Sequence, residues 1–441
     1  MPDLDRRLDP QRQAWVEAAR ARIDDARLTG LVAGMVDIPS PTGEEGQLAR
    51  WLADRLTEAG LEGRYQPIDD DQGNAVGRLR GDGTGSDLLL YAPIDTLTVG
   101  TEEEDVPQVG HALRDDMRPS AIVDGPFVIG LGASNPKGHG AAVIAAAEAV
   151  AAAGIPLRGD VLVGLGAGGM PTNRRDGARR YNAGQGNGCS FMLEQGVWAD
   201  HAVIAKPGWT AAWEEVGLCW FEVTVRGTYS YVGSRHRMAY RNPIVDAGTV
   251  IAGLEEWFPS YSARHTGGLV APQGNIGGIE GGWRRTASLS PATCRFHVDL
   301  RISPRTTPAQ ARREFAEAIR GIRAAHPEID LDWEMTVSIP GTATPESDWI
   351  IRAGKAAWEE AEGRPHEPIL ANSGATDANI LRARGLSTLR TGMDRIGSDA
   401  PMALDFPAGM NIVDVREARK LVGALIRIIV DTCTRTREET R

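Results

Sequence analysis

The sequence predicts an α/β fold in two parts, and three observations carry that reading. The stretch Leu88 to Thr98, Leu-Leu-Leu-Tyr-Ala-Pro-Ile-Asp-Thr-Leu-Thr, is an apolar run ending in Asp95, the pattern of a buried strand with an acid at its C-terminal end. Helical and strand patterns alternate on both sides of it, as in α/β architecture. At Trp213 the texture changes to half-buried strands separated by two helices, and 441 residues exceed one ordinary core.

In chain order, Trp15, Ala18, Ala19 and Ile23 recur at helical spacing across Gln11 to Arg27, and a second helix over Leu28 to Val36 stops at Ile38-Pro-Ser-Pro-Thr-Gly. Glu44 opens a third helix ending at Ala59-Gly60. Strand patterns at Leu61 to Gln66 and Asn74 to Leu79 lead to the central run. Phe127-Val-Ile-Gly-Leu-Gly-Ala-Ser-Asn-Pro-Lys-Gly-His-Gly is a glycine-rich loop before a helix over Ala141 to Ala153; it lacks phosphate-loop spacing. Gly159 to Leu165 and His201 to Ala205 read as strands, and Asn173 to Gly188 as a surface insertion.

Beyond Trp213 come strands at Leu218 to Val225, Gly274 to Ile279, Thr293 to Ile302 and Asp330 to Val337, with helices at Pro243 to Trp257 and Pro308 to Ala325. They form a compact α+β domain inserted in the first. The first domain resumes with a helix at Trp349 to Ala361, a strand at Ile369, the loop Asn372 to Asn379, a short helix, a strand at Ser387 to Leu389 and a closing helix at Val415 to Val430. The expected boundaries are 1–210, 211–338 and 339–441.

The hydrophobic and charged fractions, 42% and 24%, belong to a soluble globular chain. A formal net charge of -11, with no basic cluster read against it, excludes nucleic acid and anionic membranes as expected partners. Cys189, Cys219, Cys294 and Cys433 show no paired spacing and read as reduced, buried thiols. The N-terminal residues lack the apolar core of a signal peptide, no stretch approaches membrane-spanning length, and the expected location is the cytoplasm.

Asp95 at a strand end either lines a site or caps its turn. The motifs Ile38-Pro-Ser-Pro-Thr-Gly-Glu-Glu, Gly132-Ala-Ser-Asn-Pro-Lys-Gly, Val225-Arg-Gly, Asp299-Leu-Arg and Gly374-Ala-Thr-Asp-Ala-Asn, in that order over nearly the whole chain, resemble the zinc aminoacylase, glutamate carboxypeptidase and succinyl-diaminopimelate desuccinylase family of metallopeptidases. The resemblance implies a mixed-sheet catalytic domain with an inserted lid domain that dimerises, and two zinc ions bridged by an aspartate.

The ligands that the resemblance calls for are missing. The family's His-x-Asp is Pro93-Ile94-Asp95 here, the bridging aspartate position is Asn135, and the Asp-Glu-Glu strand end falls on Gly168, Gly169 and Met170. The acid before the Pro turn is Lys206, no histidine lies between Phe406 and Met410, and the lid histidine is Tyr231. Proline offers no donor and an ammonium repels a dication, so the expectation is no metal and no cofactor. The eight histidines show no ligand spacing that would rebuild such a site.

Lys206 is then expected in the vacated metal position, held by Asp95 and Asn135, where it binds a carboxylate, stabilises an oxyanion or serves as a base or Schiff-base lysine. Alternatively it merely replaces the metals' charge. Tyr231 offers a hydroxyl to an oxyanion. Asn135, Lys137, His139, Tyr229, His236, Asn372, Thr376, Asp377 and Asn379 are candidate substrate contacts. The competing readings are lid packing for Tyr229 and His236, a helix cap for Thr376 and Asp377, and solvent exposure for Lys137 and His139.

The expected function is a metal-independent enzyme acting on a C–N bond of a small amino-acid-like or N-acyl substrate, by hydrolysis, lyase or bond-forming chemistry. The alternatives are a non-catalytic small-molecule-binding or dimeric partner of the same fold, and a zinc peptidase with relocated ligands. The expected partner besides substrate is a second copy, through the lid.

Overall fold

A computed structural model describes residues 7–172, 182–397 and 399–441. The chain divides into two compact units. One runs to Trp213 and resumes over Thr344–Pro368 and Thr376–Arg441; the other comprises Glu214–Ala343 with Ile369–Ala375.

The first unit is built on a six-stranded mixed sheet, in the order Arg64–Pro67, Gly73–Leu79, Val161–Gly166, Leu88–Pro93, His201–Ala205, Ser387–Thr391. The first two strands join antiparallel and the last four are parallel. Leu88–Pro93 is central and wholly buried, as its unbroken apolar sequence requires. Helix His139–Ala152 is apolar around most of its circumference and packs beside Val415–Cys433, so both are core helices.

Helix starts follow local chemistry. Asp9, Asn242 and Thr307 each accept a hydrogen bond from a first-turn amide, and each precedes a proline at the first helical position. Asp24 accepts from Ala26 and Arg27 amides, which starts a new helix at Asp25 and splits the single helix expected over Gln11 to Arg27. No strand forms at Ile369: Pro368 precedes it, Ile369 and Leu370 are exposed, and Ala371 takes a φ of 59°. Instead Asn372 pairs with Val270, which brings this short stretch into the second unit. Helix Glu102–Val109 and a small sheet of Ile122–Asp124, Phe127–Ile129 and Ile412–Asp414 have no periodicity long enough to expose them in the sequence. Residues 173–181 of the expected insertion lie outside the described residues, and helix Asn187–Glu194 begins within its remainder.

The second unit is a four-stranded antiparallel sheet, ordered Gly274–Gly281, Thr293–Ile302, Gly217–Arg226, Asp330–Ile339, with helices Pro243–His265 and Pro308–Ala325 packed on it. The strand Gly217–Arg226 alternates buried and half-buried residues, the period of a sheet with one covered face. Its core centres on Phe315, fully buried and stacked on Phe221 at 4.0 Å between ring centroids, with Trp333 edge-on to both. All four cysteines are buried and unpaired. Among the described residues no helix is long and apolar enough to cross a membrane.

Because Phe315 anchors this core, Phe315→Ala should destabilise the second unit by about 3–5 kcal/mol. Urea unfolding followed by circular dichroism reads this as a midpoint lowered without a change of slope.

Candidate functional site

Three neighbouring parallel strands, Leu88–Pro93, Val161–Gly166 and His201–Ala205, end on the same edge of the first unit's sheet. Asp95, the turn Gly168-Gly169-Met170 and Lys206 follow those ends, the usual location of a ligand site in such a sheet.

The turn holds two buried carboxylates. Gly168 N–H donates to Glu45 Oε1 at 2.8 Å, Gly169 N–H to Asp95 Oδ1 at 2.9 Å and Met170 N–H to Asp95 Oδ2 at 2.9 Å. Thr42 Oγ1 adds a 2.7 Å bond to Asp95, and Gly43 N–H a 3.0 Å bond to Glu45. The glycines are what permit this. Gly168 sits at φ 62°, where a Cβ would lie 2.2 Å from the Ala183 carbonyl oxygen. At Gly169 a Cβ would lie 2.4 Å from Pro93 Cβ, so the proline ring fills the space a side chain at 169 would need.

Glu45 is fully buried, and its Oε2 meets no hydrogen-bond partner among the described residues. Burial, then the negative charge of Asp95, pushes its carboxyl up to about 8, so it keeps its proton at neutral pH. The sequence reading took Glu44 as a helix opening and gave Glu45 no role. The available signal was the second acid of Pro-Thr-Gly-Glu-Glu: Glu44 is exposed and Glu45 buried.

Lys206 is 6% exposed, and its Nζ donates to Asn135 Oδ1 at 3.2 Å. Asn135 Nδ2 in turn donates to Met410 Sδ at 3.3 Å. Of the two holders expected for the ammonium, Asn135 is in place. The Asp95 oxygens accept hydrogen bonds from Thr42 and from the 168–170 turn.

Two other candidates are corrected. His139 is fully buried; its Nδ1 lies 2.8 Å from the Ser134 carbonyl and its Nε2 accepts from Met393 N–H at 3.2 Å, so both ring nitrogens join backbone segments. Burial drives it down to about 3, with the Lys206 charge adding to the shift, and it is neutral. Lys137 is likewise fully buried rather than facing substrate or solvent. Its Nζ donates to the Ile38 carbonyl at 3.1 Å, and burial lowers it to about 7.

Asp377 is buried and accepts from Tyr91 Oη at 2.6 Å, while Thr376 Oγ1 accepts from Ala378 N–H at the start of helix Ala378–Ala383. Of the two residues for which a helix cap was weighed, Thr376 bonds the first helical amide, and Asp377, the residue before the helix, makes no side-chain cap bond. Asn379 is buried beside them in sequence. Asn372, Tyr229, Tyr231 and His236 belong to the second unit. Asn372 Oδ1 closes a local turn on Gly374 N–H at 3.0 Å. Tyr229 and Tyr231 are 61% and 56% exposed, and His236 is exposed and takes a 3.0 Å bond from Arg237 Nε. Tyr229 and His236, for which packing was the competing reading, are both exposed. Among the described residues, no three His, Cys, Asp or Glu side chains come together as a group able to hold a metal ion.

Since Glu45 binds its proton more tightly folded than unfolded, its contribution weakens the fold as pH rises from its ordinary value of 4.5 to about 8, and is constant above that. Each tenfold displacement of the proton equilibrium is worth about 1.4 kcal/mol. Chemical unfolding at a series of pH values should show stability falling across this window, and Glu45→Gln should flatten the fall.

Residues 214–326 match the family model of a peptidase dimerisation domain. The fold is similar over almost the whole chain to solved peptidases and amidases. A dipeptidase from Saccharomyces cerevisiae has a TM-score of 0.70 at 12% identity, covering 94% of this chain and 98% of its own. An M20 family metallo-carboxypeptidase from Sulfolobus solfataricus has 0.67 at 12%, covering 92% and 98%. A hydantoinase/carbamoylase family amidase from Burkholderia ambifaria has 0.58 at 18%, covering 94% and 99%. At these identities the likeness is one of fold: a mixed α/β unit of the M20 peptidase type with a dimerisation-type α+β unit inserted in it.

Proposed function

We propose that the chain is a metal-independent enzyme acting on an amide-type C–N bond of a small amino-acid-like or N-acyl substrate, with the Lys206 ammonium supplying the positive charge. The observation that carries this reading is the bond from Lys206 Nζ to Asn135 Oδ1 at the end of His201–Ala205. A cation fixed by a neutral amide at a strand end can stabilise the charge that develops on a carbonyl oxygen, or bind a substrate carboxylate. Asp95 acts indirectly, by fixing the 168–170 turn. Tyr231 completes the reading as a second donor, on the strength of its place in the sequence.

The donor set supports a reading without zinc. Pro93 has no ligand atom, Asn135 is neutral, Lys206 is cationic, and Asp95 is tied to backbone amides. Restoring a side chain at 169 would require displacing Pro93, so the two positions change together or not at all. A homodimer through the second unit accords with the dimerisation-domain match. The close cover of Lys206 and Asn135, 6% and 9% exposed, favours one rival, a binding protein that does no chemistry.

A panel of N-acyl amino acids, N-carbamoyl amino acids and dipeptides, assayed with a zinc chelator present, separates these readings. Turnover should persist under chelation and fall by about 10²–10³ in Lys206→Met, the scale of losing one oxyanion partner. Turnover that requires added zinc, or that Lys206→Met leaves intact, would overturn the proposal. Saturable binding without turnover would establish the binding protein.

A further inference from the structure

The bond between Lys206 and Asn135 joins two segments that reach the site separately. Asn135 stands on the irregular turn Ala133–Gly138, where its extended backbone, φ -124° and ψ 112°, breaks the helical run. Lys206 follows the strand His201–Ala205. An ammonium on a long, freely rotating stem keeps one position only if the group receiving it is itself fixed. The side chain that ties the two segments together is His139, the first residue of helix His139–Ala152.

Its imidazole spans them. Nδ1 donates to the carbonyl of Ser134, the residue before Asn135, at 2.8 Å, and Nε2 accepts from Met393 N–H at 3.2 Å. Met393 lies on the stretch that runs on from strand Ser387–Thr391 alongside Lys206. There Lys206 N–H donates to the Thr391 carbonyl at 3.0 Å and Gly208 N–H to the Met393 carbonyl at 3.1 Å. The contacts close a circuit: Lys206 to Asn135, back one peptide to Ser134, across the imidazole to Met393, and through Gly208 to Lys206 again. Gly392 makes room for it, since a Cβ there would lie 1.8 Å from the Lys206 carbonyl oxygen and 2.8 Å from His139 Nε2. The partners also fix the tautomer, because a carbonyl demands a donor at Nδ1 and an N–H demands an acceptor at Nε2. Burial, with the Lys206 charge adding to it, lowers the imidazole to about 3. The brace is therefore neutral and puts no second positive charge beside the ammonium.

We propose that His139 is the positioning residue of the Lys206 site: its imidazole sets where Asn135 meets the ammonium, and hence where the ammonium stands toward the substrate oxygen it serves. The inference rests on the reading of Lys206 as the working cation. His139 is fully buried, touches no substrate and transfers no proton. Its contribution is distance, and a misplacement of about 1 Å costs on the order of 10² in rate.

Of the 48 lysines and arginines only four are lysines, Lys137, Lys206, Lys355 and Lys420, so the full chain isotope-labelled at lysine Cε gives four magnetic-resonance signals. The Lys206 signal is the one lost in Lys206→Met. Lys355, paired with Glu346 and lying over Trp213 at 4.4 Å, is the reference. His139→Leu, which removes both bonds, should move the Lys206 signal and leave that of Lys355 in place. His139→Gln, which keeps an acceptor at the reach of Nε2, should move it less. Val143→Ala empties a buried position one turn along the same helix and should weaken the fold without moving the signal. In an Asn135→Ala background, where the circuit is already open, His139→Gln should add nothing. Any turnover found should fall about 10² in His139→Leu. The proposal is defeated by a Lys206 signal unmoved in both His139 variants, by one moved equally in Val143→Ala, or by a His139→Gln effect undiminished in Asn135→Ala. Absence of turnover would strike the catalytic reading of Lys206, while the lysine signals judge His139 alone.

Discussion

Three successive backbone N–H groups, those of Gly168, Gly169 and Met170, fix the chemistry of the first unit by holding two acids against one turn. The turn can do so because neither glycine has room for a Cβ, one blocked by the Ala183 carbonyl and the other by Pro93. An acid bound by two amides and a hydroxyl has spent most of its lone pairs, so Asp95 is an anchor for backbone. Glu45, with one oxygen turned to the amides and the other without a partner among the described residues, is stable only while it keeps its proton. At a neighbouring strand end, Lys206 Nζ donates to the amide oxygen of Asn135.

Much of the fold was legible because period and punctuation agreed. The wholly apolar Leu88–Pro93 announced a central strand, and the alternation in Gly217–Arg226 announced a sheet with one open face. Asn242-Pro243 and Thr307-Pro308 marked helix starts to the residue. The expected strand at Ile369 failed because a short apolar pair after a proline carries no register, and pairing with Val270 claimed its neighbour Asn372.

The site was legible in part. A strand end pointed to Asp95, and the resemblance to the metallopeptidase family pointed to Asn135 and Lys206. What the sequence could not reveal is depth. His139 and Lys137 look like accessible donors in a glycine-rich loop, and both are swallowed by the core with backbone partners. Glu45 was passed over for the converse reason, an ordinary-looking helix-start acid turned inward.

The first unit thus brings two buried carboxylates, Glu45 and Asp95, to one turn and holds a covered lysine, Lys206, at a neighbouring strand end. The central claim is the proposal that the chain acts without zinc, with Lys206 supplying the positive charge. The most direct measurement is zinc titration of the purified full chain, with metal content determined by elemental analysis. The account expects no saturable zinc binding and well below one zinc per chain. One or two tightly bound zinc ions per chain, lost in Asp95→Ala, would contradict it.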